Sequence, residues 1–318
     1  MLQLIASLLT LLALANFAIT AVETRSHPAP GMIVIVNERR MHIQTQGCGQ
    51  QNVVLLSGLG SSSPVTDFEP LVRALRPDFK VTVVEYFGYG WSDRTSVART
   101  NRNVVEELRV ALRKANVLPP YVLVPHSWSG TYTLYYANKH PEEICAIIGL
   151  DITVPAQLRY VHSSAWPFIM TAAHATGIVR LALLLNPGLV GYDSPSYTES
   201  QRDTIRMMAA WNYGNHTVAN EMQCIFANLQ EVQDYKFPAT IPVSFVLSHD
   251  SIKNVGLQMP GIDWLKAHQD LVAGDTRAGI AIVEGGHNVH WRNSEEISKI
   301  IRKTVALLPG TDGTIASR

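Results

Sequence analysis

The sequence has few cysteines, no surplus of charge of one sign, and no spacing that suggests a metal site. Its 318 residues include three cysteines, and its formal net charge at pH 7 is zero. A balanced charge provides no basic field for nucleic acid, so the composition argues against a nucleic-acid-binding protein. The cysteines are widely spaced, which excludes a zinc-type motif, although Cys48 and Cys224 could pair in an oxidising compartment.

The N-terminus holds the long apolar run of this sequence. Residues 2–22 are almost wholly apolar and long enough to span a bilayer as a helix. The same run could be the apolar core of a cleaved signal peptide, although no Lys or Arg precedes it and Arg25 follows it. We therefore expect a membrane-anchored or secreted protein, and residues 23–31, which contain proline and glycine, are expected to form an exposed linker.

Short apolar strands alternate with helical segments from residue 32 onward. A hairpin is predicted over 32–45, and buried strands are predicted at 53–56, 81–84, 121–124 and 144–150. Strands that alternate with helices favour a parallel sheet with both faces covered. Ligands of such sheets bind at the carboxyl ends of the strands, so the loops at 57–64, 85–93 and 125–130 are expected to converge on one edge.

The loop at 125–130 has the pattern of a nucleophile elbow. An apolar strand, a sharp turn and a helical segment follow one another, with Ser127 at the apex of the turn. Small residues are needed two positions before and after the serine, because strand and helix otherwise collide. Pro125 and Ser129 stand where glycines are usual, so an ordinary serine-rich turn remains the alternative interpretation.

The loop at 57–64 is rich in glycine and serine and follows a buried strand. In acyl transfer, two backbone amides must point at the carbonyl oxygen as it becomes negative. We expect the amides of Leu59 and Trp128 to form this oxyanion hole, since Gly58 and Gly60 allow the backbone to approach a ligand closely. An ordinary strand-to-helix loop would have a similar composition.

Four segments give residues 32 to about 308 a resemblance to the α/β-hydrolase superfamily, namely 57–60, 85–93, 126–128 and 285–287. The chain resembles the branch in which an apolar N-terminal segment precedes the hydrolase domain. The resemblance implies an α/β fold with a mostly parallel eight-stranded sheet flanked by helices, and a helical lid after the sixth strand. It also implies a catalytic triad of serine, acid and histidine in that chain order.

The segment from 153 to 238 matches the implied lid, because helical patterns replace the strands there. We expect the hydrolase core to comprise 32–152 and 239–308, with a tail at 309–318. Helices are predicted at 165–185, 199–211 and 218–235. Such a cap would supply an apolar pocket and exclude water. Four aromatic side chains could line this pocket or pack between cap and core: Trp166, Phe168, Trp211 and Tyr213.

Two further residues complete the implied triad. Asp250 follows the strand at 242–248, where the resemblance places the acid, and Asp151, after the preceding strand, is its rival. His287 follows two glycines after the last strand and is the expected general base, with His290 as the alternative.

The sequence therefore predicts a serine hydrolase that acts on a carboxylic ester or a related small-molecule acyl substrate. Ser127 would attack, His287 would transfer the proton and Asp250 would orient His287, without a metal or organic cofactor. Serine at the elbow argues against dehalogenase and epoxide-hydrolase relatives, which have aspartate there.

Three other functions remain open at this point. An aminopeptidase or amidase of the proline-iminopeptidase type would need a cap carboxylate for the substrate amine, with Glu199, Glu221 and Glu231 as candidates. A cofactor-free haloperoxidase-like enzyme would use the same triad. A non-catalytic interaction protein could also be built on this scaffold.

Overall fold

The structure is a computed structural model that describes residues 1–162, 164–192, 194–272 and 279–308. The strands are β1 Met32–Val36, β2 Arg39–Gln46, β3 Asn52–Leu56, β4 Lys80–Val84, β5 Tyr121–Pro125, β6 Ile144–Leu150, β7 Val243–Ser248 and β8 Gly279–Val283. The helices are α1 Leu2–Ser26, α2 Pro64–Asp67, α3 Glu69–Leu75, α4 Asn101–Lys114, α5 Ser129–Lys139, α6 Trp166–Ala175, α7 Ile178–Leu185, α8 Glu199–Asn212, α9 His216–Glu231, α10 His249–Gln258, α11 Trp264–Leu271 and α12 Ser294–Ala306. The expected tail, 309–318, lies outside the described residues.

An eight-stranded sheet organises the fold, in the order β1-β2-β4-β3-β5-β6-β7-β8. Strand β2 is antiparallel to β1 and β4, and the neighbouring strands from β4 to β8 are parallel. In β3, Val54 and Leu56 join the apolar cluster on one face, and Val53 and Leu55 join the cluster on the other. Both faces of a continuous apolar strand must be covered, which explains the helices on each side. The predicted fold class is confirmed.

The chain between β6 and β7 contains the helices α6–α9, which we call the helical insertion. The single helix expected at 165–185 is instead two helices, α6 and α7, that meet at an angle of 81°. Gly177 lies at the break with φ +77°, a conformation that favours glycine. A Cβ atom on Gly177 would lie 2.8 Å from Cβ of Asn16, so glycine also allows α1 to approach.

The N-terminal helix α1 extends to Ser26, so the first part of the expected linker at 23–31 is helical. This helix is long and apolar enough to cross a membrane, and none of its residues is buried. It is nevertheless attached to the helical insertion, because the Arg180 guanidinium on α7 donates hydrogen bonds to Asn16, Thr20 and Glu23. Cys48 and Cys224, which could pair in an oxidising compartment, are free thiols in the structure.

Candidate active site

Ser127 lies at the tip of the turn between β5 and α5. Its φ of +52° is unusual for a residue with a side chain and is typical of a strained functional turn. The turn is held on both sides, because the Ser127 amide donates to the Leu150 carbonyl at 3.1 Å and its carbonyl accepts from the Thr153 amide at 2.9 Å. The sequence pattern correctly predicted the strand, the turn and the helix.

Ser129 and Gly130 explain how the turn tolerates departures from the usual glycine pattern. The buried Ser129 hydroxyl is 2.8 Å from both the Leu56 and the His126 carbonyl oxygens, so it ties the turn to β3. Gly130 is the position where a side chain would collide, since its Cβ would lie 2.5 Å from Cβ of Ile152. The position that helix packing requires to be glycine is therefore 130, one residue later than in the usual pattern.

The structure brings Ser127, His287 and Asp151 together in one hydrogen-bonded row. His287 Nε2 is 2.7 Å from the Ser127 hydroxyl, and His287 Nδ1 is 2.7 Å from Asp151 Oδ2. Both distances are suited to proton transfer between serine and imidazole, with a carboxylate behind the ring. The expected pairing of Ser127 with His287 is present in this geometry.

The expectation that Asp250 pairs with His287 is wrong. Strand β7 leads directly into α10, and Ser248 caps this helix by accepting a hydrogen bond from the Ser251 amide. Asp250 is therefore in the first helical turn, with its side chain 54% exposed and its closest ion-pair contact, His249, at 3.8 Å. The Ser-x-Asp-Ser sequence was a signal of helix capping that could have favoured Asp151.

Asp151 occupies a buried site that stabilises its charged form. Its Oδ1 accepts a hydrogen bond from the Trp264 indole at 3.0 Å, and its Oδ2 accepts one from the Ser251 hydroxyl besides that from His287. Burial alone would raise the pKa of Asp151. The hydrogen bond and the charge of His287, together with hydrogen bonds from Ser251 and Trp264, hold this pKa below its usual value. Asp151 is thus a carboxylate at neutral pH.

The second candidate base, His290, is completely buried and is not part of this row. Its Nε2 lies 3.1 Å from Asp67 Oδ1, which also accepts a hydrogen bond from the Trp291 indole. His126 supports the active loop instead, because its Nε2 is 3.1 Å from the His287 carbonyl oxygen and donates to it. Burial lowers the pKa of His126 well below its usual value, so this imidazole is neutral.

The loop that carries Leu59 lies against the serine. A Cβ atom on Gly58 would lie 2.8 Å from Cβ of Ser127, so glycine is required for this approach. Among the described residues, neither the Leu59 nor the Trp128 amide donates a hydrogen bond to a protein acceptor. Two amides near the nucleophile are thus available to a substrate oxygen, and the oxyanion hole itself stays a prediction.

The buried carboxylate of Glu221, one of the three candidates for amine binding, supports this loop. The Gly60 amide donates to the Tyr89 hydroxyl at 3.0 Å, and Tyr89 donates to Glu221 Oε2 at 2.5 Å. Glu221 also accepts a hydrogen bond from Tyr132 at 2.6 Å, and its burial raises its pKa. On α9, Glu221 shares the helical stripe of Val218 and Ile225, a spacing that indicates a buried position.

None of the three carboxylates considered for amine binding lines the cavity beside Ser127. Glu221 is buried under Tyr89, and Glu199 is on the surface in ion pairs with Arg202 and Arg206. Glu231 accepts a hydrogen bond from Asn101, at the junction of α9 and α4. None of these three residues therefore provides the cap carboxylate that an aminopeptidase would need to bind the amine of its substrate.

A cavity of about 630 Å³ opens above Ser127 and His287. The core contributes its polar floor, and α6, α7 and α8 contribute apolar walls that include Met170, Ala173 and Ala182. Of the four aromatic candidates, Trp166 and Tyr213 line the cavity, whereas Phe168 and Trp211 do not. A larger cavity, of about 940 Å³, is lined mainly by residues 154–161, by the chain after α9 and by α11, and it includes none of the three aligned residues.

Comparison with known proteins identifies a family model and two proteins that are similar to this chain. Residues 51–174 match a family model described as the α/β-hydrolase fold. A Bacillus subtilis protein, YbdG, described as uncharacterised, is 27% identical over 276 residues, which cover 85% of this chain and 84% of that protein. A pimeloyl-[acyl-carrier protein] methyl ester esterase of Xanthomonas oryzae is 32% identical over 127 residues, 40% of this chain and 45% of the esterase.

A solved structure gives the same result for the fold. The epoxide hydrolase VrEH1 of Vigna radiata superposes with a TM-score of 0.65 at 18% identity, and the match covers 86% of this chain and 96% of that one. At this identity the similarity concerns the fold alone, because one fold supports many reactions.

Proposed function

Because this chain belongs to the α/β-hydrolase superfamily, we propose that it is a serine hydrolase that cleaves carboxylic esters or related acyl compounds. The observation that supports this function is the row of contacts from Ser127 through His287 to Asp151, with both distances at 2.7 Å. A hydroxyl, an imidazole and a buried carboxylate in this order make an activated nucleophile.

The geometry supports a two-step reaction. His287 Nε2 takes the proton of Ser127 as its oxygen bonds to the substrate carbonyl carbon, and the amides of Leu59 and Trp128 receive the negative oxygen. His287 then gives this proton to the departing alcohol, which leaves an ester between Ser127 and the acyl group. Water, deprotonated by His287, attacks this ester and releases the carboxylic acid.

The carboxylate behind the imidazole determines its tautomer. Asp151 accepts the hydrogen bond of His287 Nδ1, so Nε2 is the nitrogen left to accept the serine proton. The positive charge that develops on His287 is stabilised by a carboxylate that remains ionised at neutral pH. Asp151 therefore takes the role that the sequence interpretation gave to Asp250.

The surroundings of Ser127 support an ester more than an epoxide or a peptide with a free amine. The nucleophile position carries serine, and the cap carboxylates considered for an amine are elsewhere. The apolar walls of the cavity suit an acyl chain, and helices α6–α8 would act as the lid that excludes water. The partial similarity to a methyl ester esterase favours the same substrate class.

The proposal includes a retained N-terminal anchor. Removal of residues 2–22 would take Asn16 and Thr20 away from the Arg180 guanidinium and leave Glu23 as its partner on this segment. The loss of two of these hydrogen bonds would weaken the attachment of the N-terminal segment to α7. We propose that α1 stays on the mature protein and attaches it to a membrane.

Labelling of the full chain with a fluorophosphonate tests the proposed function. Wild type is expected to react and Ser127→Ala is expected to be unreactive, while Ser200→Ala, on an exposed turn of α8, should label like wild type. Turnover of 4-nitrophenyl esters should follow the same order. Labelling without turnover of any ester would favour a haloperoxidase-like activity, and a folded wild type that does not label would favour the interaction protein.

A further inference from the structure

The helix α1 exposes large apolar side chains, although polar residues lie on its face toward the protein. This half-buried face is mixed: Asn16, Thr20 and Glu23 bind Arg180 there, and the apolar Leu9, Leu12, Ala13 and Ala21 are half-buried as well. The exposed side chains include Leu11, Leu14, Phe17 and Val22 at the level of these contacts. In water the apolar stripe of a helix faces the protein. A helix that instead directs its large apolar side chains outward and pairs its polar ones with the protein fits a hydrocarbon environment.

The helices attached to α1 continue this apolar surface. Eight exposed large apolar side chains lie in or shortly after α6 and α7, namely Trp166, Phe168, Ile169, Ile178, Leu181, Leu184, Leu185 and Leu189. The ionisable residues of these two helices are His174 and Arg180, and both are buried against the protein. The outward surface of α6 and α7 therefore carries no free charge. An exposed apolar area next to a membrane-type helix indicates contact with lipid.

The length of α1 decides how deeply this surface must lie. Its 25 residues measure roughly 37 Å at 1.5 Å per residue. Gly177, at the turn between α6 and α7, lies against Leu12 and Asn16, so the part of the apolar run that precedes this contact, residues 2–11, is only about 15 Å long, half of a hydrocarbon core of about 30 Å. A bilayer that accommodates the whole apolar run, residues 2–22, must therefore also contain the turn between α6 and α7.

The cavity opens through the same surface. Trp166, Ile178 and Leu189 line the cavity and are also exposed, at 50%, 42% and 60%. Helix α7 thus presents Val179 and Leu183 to the cavity and Leu181, Leu184 to the outside. One helix forms both the wall of the cavity and part of the exposed apolar surface.

We propose that α1, α6 and α7 form one surface that is embedded in a phospholipid bilayer, and that the cavity opens into the lipid. A lipophilic ester then reaches Ser127 from the membrane without crossing water, and its acyl chain enters between Trp166, Ile178 and Leu189. The substrate part of this statement rests on the proposed ester hydrolysis, whereas the embedding does not.

Fluorescence in vesicles tests the embedding without requiring turnover. The full chain, with its three native cysteines replaced by serine, carries either Leu184→Cys or the control Leu257→Cys, and the new cysteine bears an environment-sensitive NBD label. Both leucines are 72% exposed, but Leu257 lies on α10. In phosphatidylcholine vesicles we expect a blue-shifted emission at position 184 that nitroxide-labelled lipids quench, and a water-like, unquenched emission at 257.

Two results would overturn the embedding. Water-like emission at position 184 would show that the surface is in solvent. A blue shift that nitroxide lipids do not quench would show that protein, such as a second copy of this chain, covers it. A far-ultraviolet circular dichroism spectrum and a thermal unfolding midpoint like those of wild type confirm that each labelled variant is folded.

Hydrolysis of two esters tests entry from the lipid. The variant Phe168→Asp/Leu184→Asp/Leu185→Asp changes exposed side chains that do not line the cavity, and Phe226→Asp/Leu257→Asp/Leu307→Asp is the matched control. We expect the first variant to lose at least about tenfold of its activity on a long-chain ester in vesicles, because charges are disfavoured in hydrocarbon. Both variants should keep wild-type activity on a soluble acetyl ester.

Equal activity of the two variants on the vesicle ester would refute entry from the lipid. If wild type hydrolyses neither ester, the proposed function fails, while the fluorescence result still decides the embedding.

Discussion

Two residues of the active row, Ser127 and Asp151, have positive φ values of +52° and +43°. Neither is glycine, so both conformations cost energy that the surrounding hydrogen bonds must supply. The Ser127 amide binds the carbonyl of Leu150, and the Asp151 amide binds the carbonyl of Val246. The strained conformations at the ends of two neighbouring strands orient the Ser127 hydroxyl and the Asp151 carboxylate toward His287.

Replacement of each candidate acid by asparagine distinguishes the roles of Asp151 and Asp250. Asp151→Asn should lower kcat for a 4-nitrophenyl ester by roughly 10³- to 10⁴-fold, because His287 would lose the carboxylate that sets its tautomer. Asp250→Asn changes an exposed side chain and should keep kcat within about twofold of wild type. Steady-state kinetics with equal folded protein measures both. A large loss for Asp250→Asn would contradict the assignment of Asp151.

The support of the Leu59 loop can be tested with two tyrosines. Tyr89→Phe removes the hydroxyl that accepts from the Gly60 amide, so kcat should fall about tenfold with little change in KM, as expected when an oxyanion donor is displaced. Tyr86→Phe is the control, since the Tyr86 hydroxyl is equally buried and no partner for it is present among the described residues. Kinetics on the same ester compares them, and an equal loss in both variants would assign the effect to packing.

At the scale of elements, Glu143 joins helix α4 to the start of β6. Its carboxylate pairs with Arg109 at 2.8 Å and with Arg113, and it accepts a hydrogen bond from the Tyr136 hydroxyl at 2.6 Å. The bond from Arg109 is the main cause that holds the pKa of Glu143 at about 2, below its usual 4.5. These contacts fix the two elements on either side of the nucleophile helix α5.

The low pKa of Glu143 predicts a pH-dependent contribution to stability. Glu143→Gln should reduce the free energy of unfolding by about 2 kcal/mol at pH 7, because charged hydrogen bonds to Arg109 are lost. The folded pKa is below the unfolded one, so this contribution is present above pH 4.5 and disappears as the pH falls toward 2. Denaturant unfolding from pH 7 to 2 measures the difference.

The neighbouring Glu142→Gln is the control for this experiment. Glu142 is 67% exposed, and its closest ion-pair contact, His140, is at 3.8 Å. Its replacement should change the free energy of unfolding by less than about 0.5 kcal/mol. A difference between Glu143→Gln and wild type that stays constant down to pH 2 would exclude the charged state of Glu143 as its cause.

At the scale of the whole molecule, the cavity exists because the helical insertion covers the carboxyl edge of the sheet. Ser127 and His287 form its floor, and Ala173 of α6 forms part of its wall, whereas the adjacent Ala172 is exposed. The size of the cavity is therefore set in part by residues that are far from Ser127 in sequence.

A single larger side chain should shorten the longest acyl chain that is accepted. Ala173→Phe fills part of the cavity of about 630 Å³, so the optimum among soluble 4-nitrophenyl esters should shift to shorter acyl chains. Ala172→Phe, on the outer side of the same helix, should keep the wild-type profile. Measurement of kcat/KM across acyl lengths tests this, and an unchanged profile in Ala173→Phe would place the acyl chain elsewhere.

The sequence by itself determined the sheet and the turn at Ser127, and it predicted that His287 would lie beside that turn. Apolar strands that alternate with helical stripes require a covered parallel sheet, and this pattern predicted β3 to β6 nearly to the residue. Ser127 and His287 were identifiable because each stands in a short local pattern at a strand end. Such features depend on residues that are adjacent in the chain, so a single sequence contains them.

Only the tertiary structure decided which acid faces His287 and what Glu221 does. Asp151 and Asp250 both follow strands, and the choice depended on whether the chain after the strand turns left-handed or enters a helix. The role of Glu221 depends on a contact with Tyr89, 132 residues away. Contacts over such separations arise from packing of the sheet and the insertion, which local patterns do not encode.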